Sequence, residues 1–144
     1  MSVDENAAAV HILSDDLTAD ELIDKLGVEP DQKWNKNDPA TASGKGRRRT
    51  SGLTYDSRLD PGRPIADHVQ AVAERLKPAT PGLLSLKSNF QLDGSKGSIR
   101  LALFSAGPAE KIEFTIGSED LAFLSGVCTV VHVTVLGGPN LADT

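Results

Sequence analysis

The stretch from Leu17 to Pro30, LTADELIDKLGVEP, constrains this chain more than any other, because several local signals in it agree on one short helix and both its ends. Thr18 and Glu21 stand at capping-box spacing, so the Thr18 hydroxyl accepts from the amide of Glu21 while the Glu21 carboxylate accepts from the amide of Thr18. Leu17 before the cap and Leu22 after it are spaced as a hydrophobic staple. Asp20 and Glu21 put negative charge at the positive end of the helix dipole. Leu22, Ile23 and Leu26 form one apolar stripe, and Gly27 supplies the left-handed stop that residues with a β-carbon resist. Pro30 then pushes Glu29 into extended geometry. A brief apolar run, Val10 to Leu13, precedes this helix as a buried strand. Gln32 to Lys36, centred on the only tryptophan, Trp34, follows it as a second strand.

Residues 37–52, NDPATASGKGRRRTSG, have no apolar periodicity and are rich in Gly, Ser, Thr and Pro, which predicts a long exposed loop. Leu53-Thr54-Tyr55 alternates like a strand. Asp60 to Pro64 is a turn that leaves Pro64 near the first position of a second helix. Ile65, Val69, Val72, Ala73 and Leu76 are its stripe, and Pro78 closes it. Pro81-Gly82 opens a β region in which Leu84, Leu86, Phe90 and Leu92 alternate with polar residues. Asp93 to Gly97 reads as a hairpin loop, with Ile99, Leu101 and Leu103 on the return strand. Ile112, Phe114 and Ile116 make a shorter strand. Ser118 is the expected N-cap of a last helix ended by Gly126. Val127 to Leu136 is nearly continuous β-branched residue, the pattern of a central strand covered on both faces.

The expectation is therefore an α+β fold. It is a single-domain sandwich with a mostly antiparallel sheet of five to six strands and two to three helices on one face. Residues 1–8 are read as a flexible N-terminus, 9–136 as the domain and 137–144 as a flexible tail. The 144 residues suffice for one core. A net charge of −5 argues against nucleic acid as the main partner, since phosphate binding needs surplus Lys and Arg. The single cysteine, Cys128, excludes an internal disulfide and a cysteine-built zinc site, and its valine-rich surroundings read as an inert core position. The N-terminus has neither the basic region nor the apolar core of a signal peptide, and no run reaches membrane-span length. A cytoplasmic protein is expected.

These landmarks, in this order, resemble the domain-of-unknown-function family 4279, small and mostly bacterial proteins. The resemblance is carried by LTADELIDKLGVEP, by Lys33-Trp34 and Lys36-Asn37-Asp38, by LTYDS, by the helix with Ile65, His68, Val69, Leu76 and Pro78, and by the ending IEFTIGSEDLAFLSGV…VVHVTV. It covers residues 9–136. Asn37 stands where the family tends to have glycine, which asparagine tolerates in a left-handed backbone. Leu53 stands where tryptophan is usual. The resemblance implies no established chemistry.

Among candidate site residues, Lys45, Arg47, Arg48 and Arg49 form a basic run able to clamp a phosphate or carboxylate. The first glycine of a phosphate loop is missing ahead of Gly44-Lys45, and no apolar helix follows, so that motif fails. Trp34 and Tyr55 flank the loop and are candidate anchors of a binding surface. His11, His68 and His132 are widely separated; none forms a metal-binding pair, although His11 and His132 fall on strands that can be neighbours. Asp15 and Asp16 are explained by the turn before a helix. No Ser–His–Asp order is recognisable. The leading expectation is a non-catalytic protein-interaction module, of an immunity or regulatory kind, without cofactor, metal or catalytic residues. It would bind a protein through the loop between Trp34 and Tyr55. The alternative is a small anionic ligand or nucleotide binder, or an enzyme, using Arg47 to Arg49.

Overall fold

The computed structural model describes residues 5–40, 46–106 and 116–136. Strand β1 runs from Glu5 to Ser14 and is followed by helix α1, Ala19–Leu26. Both halves of the capping box are present: the Glu21 amide donates to Thr18 Oγ1 at 3.2 Å, and the Thr18 amide donates to Glu21 Oε1 at 3.0 Å. Gly27 closes the helix with φ 72. The buried Ser14 hydroxyl accepts from the Leu17 amide at 3.0 Å and so shapes the corner between strand and cap. The chain continues through β2 (Gln32–Trp34), β3 (Ser51–Asp56), α2 (Ile65–Leu76), a 3-10 turn (Lys77–Ala79), α3 (Thr80–Asn89), β4 (Gly97–Ala106), α4 (Ser118–Val127) and β5 (Val130–Leu136).

The five strands form one mixed sheet in the order β2-β3-β1-β4-β5, antiparallel except for the parallel β4–β5 pair. Alternation along the strands sorts the two faces. Val10, Ile12, Leu53, Tyr55, Ile99, Leu101 and Leu103 point into one core with Leu22, Val69, Leu76, Leu83 and Leu86 of the helices. The residues between them, among them Ala9, His11, Thr54, Arg100 and Ala102, look out from the opposite face. The architecture is the expected α+β sandwich with its helices on one side.

Several local expectations are corrected. The segment Leu84–Leu92 is not a strand. It belongs mostly to helix α3, whose buried Leu83 and Leu86 and the half-buried Phe90 after it are spaced three and four apart, while Leu84 is 46% exposed and Pro81 sits in the first turn, where its missing N–H costs nothing. A Cβ on Gly82 would lie 2.2 Å from the Lys25 carbonyl oxygen, so this glycine lets α3 cross α1 closely. It is therefore not a strand opener. Asp93 to Gly97 accordingly joins a helix to a strand and is not a hairpin loop. Strand β1 starts at Glu5, inside the stretch expected to fray, because its full length pairs with β4 from Glu5↔Ala106 to Ser14↔Gly97.

Pro64 is the N-cap of α2, next to the first helical residue as expected, whereas Gly117 rather than Ser118 caps α4. Helix α4 runs past Gly126, and β5 lies at the edge of the described sheet with Val131 59% exposed, so Val127–Leu136 is not a central strand covered on both faces. The strand expected at Ile112 and Phe114 lies outside the described residues. Asn37 has φ 75, the left-handed geometry that an asparagine in a glycine position must take.

Candidate functional site

The ends of the loop after β2 are drawn together by main-chain bonds. The Asn37 amide donates to the Arg48 carbonyl at 2.9 Å, the Arg48 amide donates to the Asp38 carbonyl at 2.8 Å, and Pro39 bridges to Arg47. This arrangement returns Arg48 to Trp34, with its guanidinium carbon 4.4 Å from the centroid of the indole ring. The indole in turn lies across Gly52, its cross-strand partner, where a Cβ would come within 2.3 Å of Trp34 Cζ2. Glycine at this position makes room for the ring. Arg47 and Arg49 are exposed and Arg48 is half-buried, while Lys45 lies outside the described residues.

Beside this stack, on the helix-free face of the sheet, a cleft of about 260 Å³ is lined by His11, Leu13, Gln32, Trp34, Arg48, Thr54 and Arg100. Register explains the grouping, because His11 stands between Thr54 on one side and Arg100 on the other. His11 Nδ1 and Thr54 Oγ1 share a hydrogen bond at 3.0 Å. Burial holds the His11 pKa below the usual imidazole range, the neighbouring Asp56 carboxylate opposes this, and Arg100 reinforces it, so the ring is neutral at pH 7. Arg100 Nε donates to Ser98 Oγ at 3.2 Å, which fixes the direction of its fork. A second, largely apolar depression of about 540 Å³ lies farther along the same face, among Ala7, Ala9, Phe104, Asp56 and His132.

Tyr55 does not reach this surface. It is 0% exposed, it donates its hydroxyl hydrogen to the Val28 carbonyl at 2.6 Å, and burial pushes its pKa up to about 12. Strand parity decides this: Trp34 and Tyr55 flank the loop in sequence, but Tyr55 faces the helices. His11 and His132 are not neighbours, because β4 lies between β1 and β5. Among the described residues no group of three or more His, Cys, Asp or Glu could hold a metal ion.

His68 is buried, with Nδ1 2.6 Å from Ser57 Oγ and Nε2 3.1 Å from the Asp60 carbonyl oxygen. A carbonyl only accepts, so Nε2 donates to Asp60, while Nδ1 and the Ser57 hydroxyl share the second bond. The pair ties the end of β3 to α2. Cys128 is buried, and burial pushes its thiol up to about 11. Sequence reasoning missed Arg100 and Thr54 as cleft residues. The available signal was Arg100 itself, a lone cation on the outward parity of an otherwise apolar alternation.

The arrangement is one of recognition groups: two guanidinium forks, a neutral imidazole, a hydroxyl, an amide and an aromatic wall. No helix of the described residues is long and apolar enough to cross a membrane. No curated protein and no solved structure is detectably similar to the chain. A family model described as "Domain of unknown function (DUF4279)" matches residues 4–129, spanning every element up to the start of β5, and the chain belongs to that family.

Proposed function

We propose that the chain is a non-catalytic protein-interaction module acting in the cytoplasm, in a regulatory or immunity role. It meets its partner on the helix-free sheet face beside the basic loop. The observation that carries this reading is the ordered stack of Arg48 on Trp34 at the rim of an open cleft, with Arg47, Arg49 and Arg100 exposed around it. Trp and Arg are the residues that most often dominate binding energy at protein interfaces. On a chain of net charge −5 this is a local basic spot suited to an acidic partner surface.

The larger depression supports a second reading, a small-molecule binder, since about 540 Å³ falls within the usual range for ligand pockets. Capture from the source organism with wild type and with R47S/R48S/R49S, followed by mass spectrometry of both proteins and small molecules, tests the choice. The first reading expects a protein captured by wild type and lost with the variant, with weaker capture at high salt. A protein retained equally by both would remove the loop from function. An adjacent toxin gene in the source genome would favour the immunity role over a regulatory one.

A further inference from the structure

We propose that the cleft between Trp34, Arg48, His11 and Arg100 is a receptor for a carboxylate presented by an acidic side chain of the protein partner. The inference rests on the binding reading above and names the chemistry that the surface selects. Its first support is the pairing of the cations. Arg58, Arg63 and Arg75 each pair with a carboxylate of this chain. Arg48 and Arg100 have no carboxylate within ion-pair distance among the described residues, and none lines the cleft between them. Asp56, on the same face, lines the neighbouring depression instead.

The second support is an orphaned atom. Arg48 Nε is buried and has no hydrogen-bond partner among the described residues, so part of its desolvation is uncompensated in the free protein. An anion placed against the guanidinium offsets that cost. The third support is size and lining. A cleft of about 260 Å³ falls just under the range of small-molecule pockets, roughly 300–1,000 Å³, and suits one inserted side chain. Trp34 and Leu13 offer apolar surface to the methylenes of a glutamate, while the two forks meet its carboxylate. Phosphate sites usually add a cradle of backbone N–H groups or a helix N-terminus. No helix residue is among those that line this cleft.

The test is an NMR titration of the full chain with N-acetylglutamate α-amide, with its neutral isostere N-acetylglutamine amide, and with N-acetylphosphoserine amide. The single tryptophan gives one indole N–H signal to follow, alongside the side-chain N–H signals of Arg48 and Arg100. Saturable shifts of these signals with the glutamate probe alone are expected, and R100Q should weaken them about tenfold, the loss of one charge-assisted hydrogen bond. R48Q should do the same. Because Arg48 also packs on Trp34, R100Q at an exposed position is the decisive variant.

Equal shifts with the glutamine probe, or unchanged affinity in R100Q, would overturn the proposal. Phosphoserine saturating at a concentration about tenfold lower than glutamate would reassign the site to phosphoryl groups. If R47S/R48S/R49S loses its captured protein while the glutamate probe binds nowhere in the cleft, the interaction surface stands and the carboxylate receptor falls. If the probe binds but capture is unaffected by the variant, the partner reading is the one overturned.

Discussion

Among the described residues two arginines sit over aromatic rings, and their surroundings differ in almost every other respect. Arg75 lies 5.2 Å from the Tyr55 ring, 16% exposed, and both terminal nitrogens of its fork are engaged: it pairs with Asp31 and donates to the carbonyls of Asp56 and Glu29, each at 3.0 Å. Arg48 lies 4.4 Å from the Trp34 ring, has no carboxylate partner among the described residues, and keeps an unpaired buried Nε beside an open cleft. The same arrangement of a guanidinium over an aromatic ring thus serves the fold at one place and is left available at the other. What separates them is Asp31. Its carboxylate also accepts from the Asp56 amide and from Arg58 Nε, each at 2.6 Å, and so joins β3, α2 and the segment before β2.

The largest expected effect follows from the closed pair. Arg75→Ala leaves the partly buried Asp31 without its main partner and should cost about 3 kcal/mol in chemical denaturation. A loss below about 1 kcal/mol would show that the two arginines are not different in kind.

Acid should dissolve the same network. Burial alone would raise the Asp31 pKa, but the hydrogen bonds from Arg75, the Asp56 amide and Arg58 outweigh it and hold the carboxyl at about 2. A folded pKa below the ordinary value means stability that is complete above about pH 4 and is lost as pH falls toward 2, amounting to about 2 kcal/mol. Asp31→Asn should flatten this part of the stability–pH curve, and an unchanged slope would contradict the assignment. Tyr55→Phe removes the donor to the Val28 carbonyl and should cost about 1 kcal/mol. Thr18→Ala should cost about the same through the lost helix cap, with its effect confined to α1 in hydrogen exchange. At the small end, R47S/R49S should stay within about 0.5 kcal/mol of wild type, since both side chains are exposed and neither forms an ion pair among the described residues.

The legibility of these features in the sequence followed the range of the interactions behind them. The capping box and Gly27 are set by a few adjacent residues and were readable, whereas the left-handed Asn37 was implied only by the family resemblance. The strand misread at Leu84–Leu92 was decided at longer range. Its leucines allow either period, and what selects the helix is Gly82 meeting the backbone of α1 and Leu83 and Leu86 reaching the core. The length of β1 depends on β4, some ninety residues away in sequence. In the site, Trp34 and the basic run stood out by composition. The exclusion of Tyr55 and the inclusion of His11, Thr54 and Arg100 depended on strand register, which no local pattern specifies.

The most direct measurement of the central claim compares R47S/R48S/R49S with wild type in two readouts on the same preparation, unfolding free energy and affinity for the captured partner. The account predicts an unfolding free energy within about 1 kcal/mol of wild type, the loss of one half-buried cation–π contact, and a partner affinity weakened about tenfold or more. A variant that unfolds, or one that binds as wild type does, would place the basic loop on the same side of the comparison as Arg75, or outside function altogether.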